Sequence, residues 1–158
     1  MSGRPELLVI AAEIRDRSSR VEREVADIEA LTTSAPDRTA TWAIAGHLQA
    51  FYTGCETMLQ AALERFDGLP SHGADSHVRL LRAATLAIPT IRPAVLAEST
   101  AAVLDPYRAF RHFFRHGYGL DLDWSRMESK VLGIRAAHAA FARDIDAFCA
   151  FLDAVGTG

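Results

Sequence analysis

The run YRAFRHFFRHGYG, residues 107–119, holds three arginines, two histidines and five aromatic rings within thirteen residues. Histidine titrates near pH 6.5 in its ordinary state, so it can take or give a proton close to neutrality. Guanidinium groups stay charged, and their forks match phosphate oxygens. Together these groups suit cleavage of RNA through its own 2′-hydroxyl. That reaction needs a base for the hydroxyl proton, an acid for the leaving oxygen and cations beside the phosphoryl oxygens. It calls for no metal and no other cofactor. His116 is the candidate for proton transfer, and Arg108, His112 and Arg115 are candidates for holding a phosphate-bearing substrate.

Read as a helix at about 100° per residue, the run divides in two. Arg108, Arg111, His112, Arg115 and His116 fall on one side, and Tyr107, Phe110, Phe113, Phe114 and Tyr118 on the other. The expectation is a buried aromatic face and a presented basic face. Three simpler readings compete for the basic face. It can be a solvated charged surface, a phosphate-binding patch without chemistry, or a metal site using His112 and His116 at i, i+4. The arginines between and beside the two histidines oppose a cation.

The elements that must position this run are helical. Leu7, Ile14, Val21 and Ile28 recur at heptad spacing behind a first-turn proline, Pro5, and predict a helix over about 5–32. A second helix is expected over about 38–66, with Trp42, Leu48, Phe51, Cys55, Met58, Leu59, Ala62 and Phe66 as its inner stripe. DGLPSHGADSH reads as an exposed polar connector, which leaves His72 and His77 in solvent. A short helix follows around VRLLRAATLA, and IPTIRPAV is too rich in proline to be regular helix.

Asp105-Pro106 reads as an N-cap and first-turn proline, so the basic–aromatic helix is expected over about 106–117, after a separate turn at 98–104. Ser125 and Glu128 have capping-box spacing ahead of a three-four apolar stripe that runs from Met127 to Leu152 and includes His138. That last helix is expected to end near residue 154. His47 and His138 read as histidines satisfied by hydrogen bonds inside the bundle, and Trp42 and Trp124 as core or interface anchors. No segment reads as a strand. The fold class is all-α, a single domain over residues 1–158: an antiparallel up-and-down bundle of four main helices plus a short one.

With 158 residues, nearly half of them apolar, the chain can bury a sizeable core, and disorder is not expected. A formal net charge of −3 excludes a broad electrostatic surface for nucleic acid, so RNA would have to be met by the local basic patch. No apolar run is long enough to span a membrane, and the first residues meet charge too early for a signal peptide. Cys55 and Cys149 lie in helical patterns without zinc spacing and read as small buried thiols of a reducing, cytoplasmic compartment.

At RHFFRHGY the sequence resembles the HEPN superfamily, and within it the HepT-like toxins of prokaryotic toxin–antitoxin pairs. Their signature of arginine, four to six residues, then histidine, with a tyrosine two positions on, is matched by Arg111, His116 and Tyr118. The likeness extends to GHLQAFYTGCE, to IPTIRPAV and to FRHFFRHGYGLDLDW, and covers about residues 40–126. The resemblance implies a HEPN-like helical bundle that forms a homodimer and brings two copies of the motif into one cleft. It implies a metal-independent endoribonuclease with Arg111 and His116 as catalytic residues. It also implies a cognate minimal nucleotidyltransferase as antitoxin, which transfers AMP to Tyr118. Many relatives carry Asn or Asp directly after the motif arginine, where this chain has His112. The alternative from a different class is a non-catalytic helical module that holds RNA, a nucleotide or the partner enzyme.

Overall fold

The computed structural model describes residues 3–68, 75–117 and 121–158. Five helices follow in chain order: α1 (Pro5–Leu31), α2 (Arg38–Asp67), α3 (Ser76–Ala84), α4 (Glu98–His116) and α5 (Trp124–Thr157). Among the described residues there is no strand, only an isolated bridge between Ile88 and Arg92. α1 packs on α2 and α5, and α4 closes the ring by packing on the same two helices, while α3 lies against α2 and α4. Neighbours in the ring run antiparallel: Arg65 near the end of α2 pairs with Glu6 at the start of α1, and Arg15 of α1 pairs with Asp153 near the end of α5. The all-α, up-and-down architecture expected from the sequence is the one observed.

The heptad residues Leu7, Ile14, Val21 and Ile28 are all buried, and α1 begins at Pro5 as expected. They meet a stripe of α2 that includes Leu48, Phe51, Cys55, Met58, Leu59 and Ala62. A side-chain carbon at Gly54 would lie 2.5 Å from Val21 Cγ2, so its absence sets how closely α1 and α2 approach. Asp37 caps α2 by accepting the Ala40 amide at 2.8 Å. Both cysteines are buried and free. His138 is buried beside Phe51, with Nδ1 3.1 Å from a Glu22 carboxylate oxygen. Burial holds its pKa below the ordinary value, against the opposing pull of Glu22.

Four sequence expectations need correction. The basic–aromatic helix does not start at Pro106: α4 runs unbroken from Glu98, and Pro106 lies inside it. The proline removes one helical donor. The helix survives because Leu104 and Tyr107 on either side of it are buried, and because Asp144 of α5 accepts the Ala97 amide at 2.9 Å where the helix begins. Asp105, expected as an N-cap, is a mid-helix residue whose carboxylate accepts from Arg108 Nε at 2.7 Å. At the start of α5 the cap is Asp123, which accepts the Ser125 amide at 3.0 Å, rather than a Ser125–Glu128 box. That helix also continues to Thr157.

The IPTIRPAV segment is a tight irregular turn, as expected, with Thr90 in the left-handed region at φ 63°. Its anchor is Arg92, whose side chain is fully buried. Arg92 donates to both carboxylate oxygens of Asp67, from Nε at 2.8 Å and Nη2 at 2.6 Å, and to the Leu86 carbonyl at 2.7 Å. This fork ties the α3–α4 connection to the last turn of α2. Removing one partner of a buried ion pair leaves an uncompensated charge, at a cost of about 3–5 kcal/mol. Asp67→Ala is therefore expected to destabilise the bundle by about that amount in urea unfolding; a loss of less than about 1 kcal/mol would mean that the pair is not a structural anchor.

Candidate functional site

The basic–aromatic helix meets the rest of the protein differently from its helical-wheel expectation. Residues Thr100, Leu104, Tyr107, Phe110 and Arg111 are the buried positions of α4. Arg111 thus lies on the inward stripe and is only 9% exposed, while Phe113, expected in the core, is 41% exposed. His112, Arg115 and His116 are exposed, and Arg108 is half-buried. The presented face consists of those four residues, and Arg111 points into the bundle. Phe114 stays half-buried against Trp42 of α2, itself 37% exposed, with ring centroids 6.2 Å apart.

Arg111 is received by one turn of α2. Its Nε donates to Thr53 Oγ1 at 2.8 Å, and its Nη2 lies 3.8 Å from Glu56 Oε1. Glu56 is only 4% exposed, a carboxylate in the apolar interior of the bundle. Its other oxygen, Oε2, is 2.7 Å from Nδ1 of His77 at the start of α3. Arg111, Glu56 and His77 form a chain across α4, α2 and α3. Tyr52 lies one turn before Glu56, with a buried hydroxyl that has no hydrogen-bond partner among the described residues. Burial, and secondly the Glu56 charge, push that hydroxyl's pKa well up, so it stays protonated.

At the C-terminal end of α4 the two motif histidines stack, with ring centroids 4.4 Å apart. His116 Nδ1 donates to the His112 carbonyl at 2.9 Å, which fixes that ring and leaves Nε2 as its outward nitrogen. His112 has no such anchor among the described residues. Tyr118, the expected modification site, and His72 lie outside the described residues.

The sequence reading placed His77 in solvent and gave Glu56 no role. His77 is instead helical and half-buried against Glu56. One signal was available: Glu56 follows Tyr52 and Cys55 in a stripe otherwise apolar, and a lone acid there requires a partner. A different group can hold a cation. Glu24, Asp27 and His47 offer one ligand atom each within 4.8 Å of one another, and His47 Nδ1 is 2.7 Å from Glu24. His47 is thereby satisfied within the bundle, as expected. A groove of about 400 Å³ on the opposite side of α4 is lined by Pro106, Phe110, Phe113, Leu122, Met127 and Lys130. It is mainly apolar and contains none of the motif cations.

A family model described as HepT-like protein matches residues 43–152, more than half of the chain, including α3, α4 and the histidine pair. No curated protein and no solved structure matches the chain. No helix among the described residues is long and apolar enough to cross a membrane.

The geometry separates the motif arginines by role. Arg111→Ala leaves Glu56 buried with His77 as its remaining partner, and an unsatisfied buried polar group costs about 1–3 kcal/mol, more when charged. Arg115→Ala removes an exposed charge, and such surface changes usually stay within about 0.5 kcal/mol. Chemical denaturation should therefore resolve the first variant from wild type and not the second. Equal stability of the two variants would contradict a buried Arg111–Glu56 pair.

Proposed function

The chain belongs to the HepT-like protein family, and from that premise we propose that it is a metal-independent endoribonuclease, the toxin of a toxin–antitoxin pair. The observation that carries this reading is the Arg-x4-His run of α4. It holds a buried, oriented guanidinium, Arg111, five residues before an exposed histidine, His116, whose Nδ1 is already tied down. Arg111 donates through Nε to Thr53 and pairs through Nη2 with Glu56, so Nη1 is the terminal nitrogen that remains for a phosphoryl oxygen. Arg108, His112 and Arg115 line the approach and bind substrate phosphates. His112 stands where many relatives have Asn or Asp, and offers a ring nitrogen in place of their polar group.

In this scheme two copies pair as a homodimer, and their motif helices form the walls of one RNA cleft. A cognate minimal nucleotidyltransferase acts as antitoxin by transferring AMP to Tyr118. The added phosphodiester is anionic and bulky, so it competes with substrate phosphate for the nearby arginines.

The purified, unmodified protein is expected to cut RNA in the presence of EDTA and to leave 2′,3′-cyclic phosphate ends. His116→Ala should slow cleavage by about 10²–10⁴-fold, the usual contribution of a general acid or base. Loss of cleavage in chelator with rescue by a divalent ion would overturn the metal-free mechanism. Tight RNA binding without any cleavage would favour the non-catalytic binding module instead.

Regulation has its own test. Co-expression with the neighbouring nucleotidyltransferase should add AMP-sized mass to wild type and none to Tyr118→Phe, which should stay toxic. A Phe variant neutralised as readily as wild type would show that control acts by complex formation alone.

A further inference from the structure

Glu56 is served by two donors of different kinds, and only one of them belongs to the Arg-x4-His run. Arg111 neutralises the carboxylate from α4 at 3.8 Å, while His77 meets it from α3 at 2.7 Å. An ionised carboxylate only accepts hydrogen bonds, so in the neutral ring Nδ1 carries the proton and Nε2 carries the lone pair. The His77 side chain is 33% exposed, unlike Leu80, Leu81 and Ala84, which supply the buried face of α3. A histidine with Nδ1 held by a buried carboxylate and a third of its side chain open to solvent is arranged to take a proton at Nε2. His116 is held in the same sense, with Nδ1 donating to the His112 carbonyl and Nε2 outward.

We propose that His77, oriented by Glu56, is a second catalytic histidine of the Arg111 site and acts as its general base; this rests on the ribonuclease reading. His77 Nε2 takes the proton of the 2′-hydroxyl as the 2′-oxygen bonds to phosphorus. The bond from phosphorus to the 5′-oxygen breaks, and that oxygen takes a proton from Nε2 of the His116 imidazolium. The products are a 2′,3′-cyclic phosphate and a 5′-hydroxyl, with His77 protonated and His116 neutral until solvent exchange restores both. Arg111 stabilises the phosphoryl oxygens, and its ion pair with Glu56 ties it to the same carboxylate that orients the base.

The test compares wild type with His77→Gln. Glutamine can still donate a hydrogen bond to Glu56 but cannot accept a proton at neutral pH, so a merely structural His77 predicts cleavage at the wild-type rate. The proposal predicts a loss of about 10²–10⁴-fold in RNA cleavage. It further predicts disappearance of the limb of the pH–rate profile that belongs to the base, with RNA affinity by fluorescence anisotropy unchanged. Wild-type rates or both limbs retained in His77→Gln overturn it. Long-range ¹⁵N–¹H NMR of the wild-type protein reads the tautomer without any reliance on activity. Neutral His77 should be protonated at Nδ1, and an Nε2-protonated ring overturns the dyad. Wild type that leaves RNA intact overturns the ribonuclease reading itself. Wild type that cuts, with His77→Gln cutting equally, overturns only the role of His77.

Discussion

A carboxylate without solvent has to be paired, and Glu56 imposes that constraint on the middle of this bundle. An isolated charge buried among apolar side chains is expensive enough that the fold must bring it partners or the group must give up its charge. Glu56 is on α2, the helix that touches all four others. Its partners come from α3 and α4. The short α3, with three buried residues, gains from the Glu56–His77 bond a polar anchor for its first turn. α4 gains a fixed rotation about its own axis, because Arg111 must face α2 for its fork to reach Thr53 and Glu56. One acid therefore sets both where α3 begins and which way the Arg-x4-His helix faces.

The second buried ion pair makes that arrangement reachable for the chain. Between α3 and α4 the backbone has to reverse within a short stretch containing two prolines, which cannot be stabilised by regular hydrogen bonding. Arg92 replaces the missing ladder: its guanidinium satisfies carbonyls of Leu86, Pro93 and Ala83 as well as the Asp67 carboxylate. Asp67 closes α2 and Glu56 lies three turns earlier on the same helix, so both acids that organise α3 and α4 are carried by one rigid element. Two elements placed from a common helix hold their relative geometry better than two placed from separate loops. A site divided between α3 and α4 needs that property.

Much of the fold was legible because burial in a bundle repeats every three or four residues. Leu7, Ile14, Val21 and Ile28, and the stripe from Met127 to Leu152, point inward without help from distant residues. The phase of α4 was not legible in the same way. Starting that helix at Pro106 left Thr100 and Leu104 out of the wheel, and those residues fix its inward direction close to Arg111. Without them the aromatic rings dominate the wheel, which turns Phe113 inward and Arg111 outward, the reverse of what is seen. The Pro106 rule failed because tertiary burial and the Asp144 cap outweighed one lost helical bond. His77 was misplaced for a different reason. A polar, glycine-containing connector gives no sign of where its helix begins, and the partner that draws His77 inward is 21 residues away.

The spacing within the Arg-x4-His run now has a physical sense. Five residues along a helix amount to a rotation of about 140°, so the two ends of the motif cannot share one face. When the arginine takes the inward direction, the histidine emerges on the flank, and both cannot be buried or both presented. The histidine also falls in the last turn of α4, where its Nδ1 donates to the carbonyl of His112 one turn back, and that bond fixes the ring. The rotation that turns Arg111 inward therefore leaves His116 exposed at the end of the helix, with Nδ1 held and Nε2 outward.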